Sequence, residues 1–172
     1  SFLPDGTRAV VRALGAEDME NTGTQALVMN TFHLMQKPGS STIKALGGLH
    51  KMSGWDKPIM TDSGGFQAYS VVRENPRSGS MTVKGISFLP EGARRKYQLT
   101  PEKSIQLQIN YGADILVCLD DCTHVDDSPA MQKQAVRRTV EWAKKSKQEY
   151  IRLLEEKKIG EAEKPKLFAV IQ

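Results

Sequence analysis

The fold of this chain is decided by a stretch that reads IMTDSGGFQ, residues 59–67, in which a short apolar run ends abruptly in Asp62. The same pattern, an apolar run followed at once by an amide or a carboxylate, occurs three more times. The runs at 27–29, 114–119 and 167–171 end in Asn30, in Asp120 and Asp121, and in Gln172. Continuous apolar runs of this length are typical of strands buried on both faces, so the sequence predicts a parallel sheet.

Helical patterns separate these four runs. A short amphipathic helix is predicted over 41–52, and Thr100-Pro101-Glu102 has the N-cap, first-turn proline and acid of a helix that ends before Gly112. Ser128-Pro129 opens the longest predicted helix, which runs to about Lys158. Its apolar face is marked by Val136, Val140, Ala143, Ile151 and Leu154.

Alternating strands and helices with right-handed crossovers indicate an α/β fold. Side chains at the carboxyl ends of the strands form the active sites of (β/α) barrels. Doubly wound sheets also bind ligands there, so the pattern leaves both folds open. Residues 83–98, with a turn around Pro90-Glu91-Gly92, predict a hairpin inserted between the second and third strands.

Composition narrows the class of protein. The 172 residues carry 24 basic and 20 acidic side chains, and 39% are hydrophobic, which excludes a disordered chain, a collagen-like repeat and a disulfide scaffold. No apolar run approaches the roughly 20 residues that span a bilayer, so we expect no membrane partner. Cys118 and Cys122 fit a reducing cytosol and predict a cytoplasmic protein. Neither a G-x-G-x-x-G nor a Walker A sequence occurs, which argues against a nucleotide cofactor.

The sharpest local motif is Asp62-Ser63-Gly64-Gly65-Phe66. A carboxylate at a strand end, followed by two glycines, predicts a backbone that can approach a flat ligand closely. The N–H groups of that backbone are then free to donate hydrogen bonds. Phe66 then offers a face on which a planar ring can stack. The alternative is a tight turn with an N-capping aspartate, and the motif alone favours that alternative.

A second acidic strand end is Asp120-Asp121-Cys122. A carboxylate fits the Watson–Crick edge of guanine, where two adjacent donors point the same way. The alternative is an acidic loop that caps the following helix. Cys118, Cys122 and His124 fall loosely within zinc spacings, but Cys118 belongs to a strand and no fourth ligand is nearby, so we expect no metal there.

Two other groups of residues have weaker signals. Asn30 and His33 offer an amide and an imidazole at the first strand end, although a lone histidine is more often structural. Arg94-Arg95-Lys96 in the predicted hairpin could contact phosphate, although exposed cations are usually only solvated.

These motifs occur together, and in order, in one known family. The shared stretches are residues 30–34, 37–39, 47–51, 54–55, 61–67, 85–88, 99–102, 120–123 and 168–172. The chain closely resembles the tRNA-guanine transglycosylases, or queuine tRNA-ribosyltransferases, over nearly its whole length. The resemblance implies an irregular (β/α)8 TIM-barrel, of which residues 1–172 are about the first half. It also implies the exchange of guanine at the wobble position of a tRNA anticodon for a 7-deazaguanine, queuine or its precursor, through a covalent ribosyl–enzyme intermediate.

The resemblance assigns roles to individual side chains. Asp62 matches the catalytic general acid/base, and Phe66 matches the aromatic residue that stacks on the base. Asp120 matches the aspartate that reads the guanine edge. The other implied substrate-binding residues are Ser63, Gly64 and Gly65 in the base-binding turn, Cys122 and Gln172 in the pocket, and Asn30 and His33 on the ribose side.

The resemblance also implies parts that these residues do not supply. The family's nucleophile, a second aspartate, lies on a later strand. Its four Zn²⁺ ligands and the basic tRNA-binding segments around them lie toward the C-terminus. We therefore expect no cofactor or metal ligand within residues 1–172, and Zn²⁺ in the full-length enzyme. The implied partners are the tRNA anticodon loop and the 7-deazaguanine base, with a homodimer as the assembly.

Two rival functions remain open. One is a non-catalytic RNA-binding partner subunit of a transglycosylase, which would keep the fold and lose the site. The other is an unrelated (β/α) barrel enzyme such as an aldolase. No lysine suited to Schiff-base formation stands at any of the strand ends, which argues against the aldolase.

Overall fold

The computed structural model describes residues 2–90 and 92–171. Within them, seven strands follow one another along the chain. They are β1 (Leu27–Met29), β2 (Ile59–Thr61), β3 (Gly79–Thr82), β4 (Gly85–Phe88), β5 (Tyr97–Leu99), β6 (Ile115–Val117) and β7 (Lys166–Phe168).

The main sheet contains four parallel strands in the order β1-β2-β6-β7, which is also their order along the chain. Met29 pairs with Thr61 across β1 and β2, and Thr61 pairs with Leu116 across β2 and β6. Each strand therefore adds to the same edge of the sheet, whereas a doubly wound sheet reverses direction at its switch point. The predicted α/β class with a parallel sheet is confirmed, and the carboxyl ends of the strands lie side by side.

Seven helices pack around the sheet in the described part of the chain, and none of them is long and apolar enough to cross a membrane. They are α1 (Ala16–Asn21), α2 (Thr31–Leu34), α3 (Ser40–Ala45), α4 (Leu49–Ser53), α5 (Gly65–Glu74), α6 (Pro101–Tyr111) and α7 (Pro129–Glu156). The turn Met35–Gly39, which is kinked at Lys37, joins α2 to α3.

The single helix predicted over 41–52 is in fact two helices, α3 and α4. Gly47 and Gly48 separate them with φ angles of 86° and 96°, which an L side chain rarely adopts. A Cβ at Gly48 would lie 2.9 Å from the carbonyl oxygen of Tyr111. The break therefore lets the chain pass close to the end of α6.

The predicted ends of α6 and α7 are confirmed. The Thr100 hydroxyl accepts a hydrogen bond from the Lys103 N–H, and Gly112 ends α6 in the left-handed region. The Ser128 hydroxyl accepts one from the Met131 N–H. These ends are predictable because caps depend only on neighbouring residues.

The apolar face predicted for α7 is not the face that packs on the other described residues. Val136, Val140 and Ile151 are 41%, 48% and 45% exposed, and Ala143 and Leu154 are only half-buried. The face that packs on the rest of the protein carries Ala135, Thr139, Trp142, Ser146, Glu149, Tyr150 and Leu153. Several of these residues are polar. The pattern of apolar residues alone therefore indicates a different face of the helix, next to the one that is buried.

The insertion between β2 and β6 is larger than the predicted hairpin over 83–98. Strands β3, β4 and β5 form a three-stranded antiparallel sheet that begins at Gly79 and ends at Leu99. Phe88 stacks on Phe32 with ring centroids 5.1 Å apart, and Tyr97 stacks on Phe88 at 5.9 Å. The insertion therefore packs against α2, directly after the first strand end. Glu91, in the predicted turn, lies outside the described residues.

The core has two parts. The larger one joins the main sheet to the insertion and to α7, and its largest fully buried side chains are Trp55, Trp142, Tyr111 and Phe88. The smaller one lies between α6, β6 and α7 and contains Ile105, Leu116, Tyr150 and Leu153. Both parts support the strand ends that carry the predicted site.

Candidate functional site

The first two strand ends meet at Asn30 and Asp62. Because β1 and β2 are parallel and in register, the residue after each strand lies beside the residue after the other. The Asn30 side-chain amide donates to Asp62 Oδ2 at 2.7 Å, and the Asp62 N–H donates to the Met29 carbonyl at 3.2 Å. The structure therefore brings the polar side chains of the first two strand ends into direct contact.

Asp62 is held by three donors. Its Oδ1 accepts from the Thr31 N–H at 3.1 Å and the Gly64 N–H at 3.0 Å, while Oδ2 accepts from Asn30. Burial raises the pKa of Asp62 above the ordinary 3.8, although these hydrogen bonds oppose the rise. A carboxyl whose pKa is raised keeps its proton closer to neutral pH, which suits a group that both gives and takes protons.

Asn30 has its amide orientation fixed by α2. As the N-cap of that helix it accepts the His33 N–H on Oδ1 at 3.0 Å, so its NH2 group must face Asp62. Its own N–H donates to the Thr7 hydroxyl at 2.8 Å. The backbone and the side chain of Asn30 are both anchored, and Asp62 is therefore positioned by a rigid neighbour.

The two glycines after Ser63 do not have the predicted free N–H groups. The Gly64 N–H donates to Asp62, and the Gly65 N–H donates to the Ser63 hydroxyl at 3.2 Å. A Cβ at Gly64 would lie 2.8 Å from the Phe32 nitrogen, and one at Gly65 would lie 3.0 Å from the Asp120 carbonyl oxygen. These glycines are required because backbone atoms of Phe32 and Asp120 approach them closely.

The third strand end brings Asp120 into the same cluster. Asp120 is half-buried, and the Ser63 hydroxyl is 3.5 Å from its Oδ1. The Cys122 thiol donates to Oδ2 at 3.3 Å. Burial and the Asp120 carboxylate raise the pKa of Cys122 to about 12, so the thiol keeps its proton and remains a donor.

The remaining predicted residues differ in their exposure. Phe66, in the first turn of α5, is 59% exposed, which leaves much of its ring uncovered beside the glycine turn. His33 is exposed and meets the Phe32 ring edge-on, with centroids 5.4 Å apart. Gln172 lies outside the described residues.

The comparison with known families decides what kind of protein this is. A family model described as queuine tRNA-ribosyltransferase matches residues 1–172. The chain belongs to the queuine tRNA-ribosyltransferase family. Relatives named queuine tRNA-ribosyltransferase are 38% identical in Idiomarina loihiensis and 36% identical in Zymomonas mobilis, each over 100% of this chain and 42% of the relative. One from Rickettsia typhi is 40% identical over 88% of this chain and 41% of its own length. The chain therefore spans about two fifths of these relatives.

In this member of the queuine tRNA-ribosyltransferase family, the strand ends rest on a buried hydrogen-bond network that the sequence motifs do not predict. Gln108 of α6 accepts the Thr61 hydroxyl and the Val117 N–H, both at 2.9 Å, and donates to the Val117 carbonyl at 3.0 Å. Its neighbour Ser104 donates to the Ser63 carbonyl at 3.1 Å. The available signal was two polar residues four apart on the buried face of an amphipathic helix.

The residues with zinc-like spacing do not fit a metal. Among residues 2–90 and 92–171, no group of three or more His, Cys, Asp and Glu side chains could hold an ion. Cys118 is buried, the Cys122 thiol is turned to Asp120, and His124 Nδ1 accepts the Asp126 N–H at 3.2 Å.

The basic residues that the sequence suggested for phosphate contact, Arg94, Arg95 and Lys96, are exposed in the insertion.

A groove of about 780 Å³ lies apart from this cluster, between α7 and β7. Its apolar wall includes Val140, Ala143, Ile151, Leu167 and Val170. Cys118 lines this groove, but none of the predicted catalytic or substrate-binding residues does. The candidate site is therefore the hydrogen-bonded cluster at the strand ends.

Proposed function

We propose that the protein containing this chain is a tRNA-guanine transglycosylase. It exchanges guanine at the anticodon wobble position for a 7-deazaguanine, queuine or its precursor, through a covalent ribosyl–enzyme intermediate. The observation that carries the proposal is the cluster in which Asp62 and Asp120, from two neighbouring strand ends, lie around one glycine turn. Family membership supports the same reaction.

Asp120 and Phe66 bind the base in this proposal. The N1–H and N2–H2 groups of guanine point the same way, so a single carboxylate can accept from both. Ser63 and Cys122 approach the two oxygens of Asp120 and orient the carboxylate. The exposed ring of Phe66 supplies a stacking face for a flat heterocycle.

Asp62 transfers the proton. As guanine leaves the ribose, negative charge develops on the heterocycle, and a nearby acid stabilises it. Burial is the main cause of the raised pKa of Asp62, which lets this carboxyl carry the proton that it donates to the departing guanine. The same group later removes a proton from the incoming base. Asn30 keeps the carboxyl in place during both steps. The wobble base must leave the anticodon stack to reach this group.

The remaining parts of the reaction lie outside residues 1–172 in this proposal. The attacking aspartate, the Zn²⁺ ligands and most of the tRNA-binding surface belong to the rest of the protein, since this chain covers 42% of two relatives. The four parallel strands are the first half of a (β/α)8 TIM-barrel, and their chain-order arrangement supports this. The enzyme acts in the cytoplasm as a homodimer.

An exchange assay on the longer protein that contains this chain tests the proposal. Radiolabelled guanine is supplied with unmodified tRNA, and label in the RNA is counted while tRNA affinity is measured in parallel. Time-dependent incorporation is the expected result. Tight tRNA binding without incorporation would instead identify a non-catalytic RNA-binding partner subunit, and absence of both would contradict the assignment to tRNA.

A further inference from the structure

Asp121 stands between two residues of the candidate site but is not itself part of it. Asp120 and Cys122 meet each other through a hydrogen bond, whereas the Asp121 side chain is only 6% exposed and contacts α7. From the sequence pattern alone, Asp121 has no role beyond that of a second acid at the strand end. Its contacts indicate what it does.

Helix α7 holds Asp121 at two points. Arg138 Nη1 donates to Asp121 Oδ2 at 2.6 Å, and the arginine side chain is itself only 14% exposed. The backbone N–H of Asp121 donates to the hydroxyl of the next helix residue, Thr139, at 2.9 Å. Side chain and backbone of one residue are thus fixed to adjacent positions of a 28-residue helix.

A buried ion pair of this kind contributes more to geometry than to net stability. Desolvation of both charges offsets much of their attraction, so the pair is weak evidence for stability, whereas removal of one partner leaves a buried charge. Burial raises the pKa of Asp121, and the Arg138 guanidinium opposes that rise. The guanidinium therefore offsets part of the cost of burying the Asp121 carboxylate.

We propose that Arg138 is a positioning residue, which acts through Asp121 to place the base-reading carboxylate of Asp120. The peptide units on either side of Asp121 connect it directly to Asp120 and Cys122. A shift of Asp121 toward solvent would therefore move both oxygens of Asp120 relative to Ser63 and Cys122. This inference rests on the proposed function, in which Asp120 binds the base. It assigns to Arg138 an effect on base binding and none on tRNA binding.

The test is a set of variants in the longer protein that contains this chain. Arg138→Met removes the guanidinium but keeps an unbranched apolar stem, and Arg138→Lys keeps the charge. Arg137→Met is the matched control, since Arg137 precedes Arg138 on the same helix and is exposed. For each variant, kcat, the KM for free guanine, the KM for tRNA and the Tm are measured.

Arg138→Met is expected to raise the KM for guanine about tenfold, the loss associated with one misplaced charged hydrogen bond, while the KM for tRNA stays within about twofold. Arg138→Lys restores most of the guanine affinity, and Arg137→Met changes neither constant. If Arg138→Met does not fold, Arg138→Lys carries the test, with a smaller rise in the guanine KM alone.

An unchanged guanine KM in the folded variants, or an equal rise in both KM values, overturns the positioning role and leaves the proposed function intact. A wild-type protein that incorporates no guanine contradicts the proposed function itself. The two failures are therefore distinguishable within one experiment.

Discussion

At the Asp62 carboxyl, burial and three hydrogen bonds act in opposite directions, and the balance can be tested by one substitution. In Asp62→Asn the amide offers one acceptor oxygen. Its NH2 group must then face either the Asn30 amide or the two N–H donors of Thr31 and Gly64. We expect guanine exchange to fall about 100-fold or more, the usual contribution of general acid–base catalysis. Because phosphate contacts dominate RNA affinity, tRNA binding should persist.

Labelled-guanine incorporation and tRNA affinity, measured side by side, check this expectation. Asp126→Asn is the control, since Asp126 is an exposed acid in the loop before α7. Near-normal exchange by Asp62→Asn would remove Asp62 from the mechanism.

The raised pKa of Asp62 also predicts a pH dependence of stability. In the folded state the Asp62 carboxyl binds its proton more tightly than in the unfolded state, where its pKa is near 3.8. The contribution of this group to the free energy of unfolding is therefore greatest at low pH and falls as pH rises from 3.8 through the folded pKa. Urea unfolding from about pH 4 to about pH 7 measures the difference between wild type and Asp62→Asn. That difference should decrease with pH, and a rising difference would mean that the hydrogen bonds outweigh burial.

Asp120 is the residue for which substrate binding gives the clearest readout. Asp120→Ala removes the acceptor for the base edge, and a hydrogen bond to a charged group contributes about 1.5–3 kcal/mol. We expect the KM for free guanine to rise by a factor of about 10 to 150, with little change in the KM for tRNA. Asp126→Ala should alter neither. If the guanine KM is unchanged, Asp120 serves only to hold Ser63 and Cys122 in place.

At the scale of whole elements, Gln108 joins α6 to β2 and β6 below the site. Gln108→Leu fits a similar volume, but it leaves the Thr61 hydroxyl and the Val117 N–H without their acceptor. Two buried unsatisfied donors should lower the free energy of unfolding by about 2–4 kcal/mol. Chemical denaturation measures this, with the exposed Gln134→Leu of α7 as the control. A loss below about 0.5 kcal/mol would show that water or a shift of the strands replaces the network.

The elements differ in how far the sequence could predict them. The ends of α6 and α7 follow from Thr100, Gly112 and Ser128, because capping is local. Strand β3 was missed because Gly79–Thr82 carries almost no apolar alternation and is fixed by pairing with β4. The apolar pattern of α7 does not mark the face that packs on the other described residues, because that face contains polar side chains whose partners lie far away in sequence.

The same distinction holds for the candidate site. The proximity of Asn30 to Asp62 could be predicted, since adjacent parallel strands bring their carboxyl ends together. The hydrogen bonds that occupy the Gly64 and Gly65 N–H groups could not, because they depend on the rotamers of Asp62 and Ser63. Arg138 gave no signal in the sequence, since an arginine within a basic helix is usually solvated.

At the scale of the whole molecule, the described residues leave the β7 edge of the main sheet uncovered. Among the described residues β7 pairs only with β6, and the groove beside it is lined by exposed apolar side chains of α7. Exposed strand edges and large apolar patches are typical sites of association between chains. Val140 and Ile151 lie on this surface and are 48% and 45% exposed.

We therefore expect the 172-residue chain, prepared by itself, to self-associate through this face at micromolar concentrations. Val140→Lys combined with Ile151→Lys should shift it toward the monomer, because each lysine places a charge in the groove where a second copy would pack. Val125→Lys, in the exposed loop before α7, is the matched control and should leave the association unchanged. Light scattering and sedimentation velocity measure the mass of each variant. A wild-type chain that is monomeric, or an association that both sets of lysines weaken equally, would show that the groove between α7 and β7 is not the contact surface.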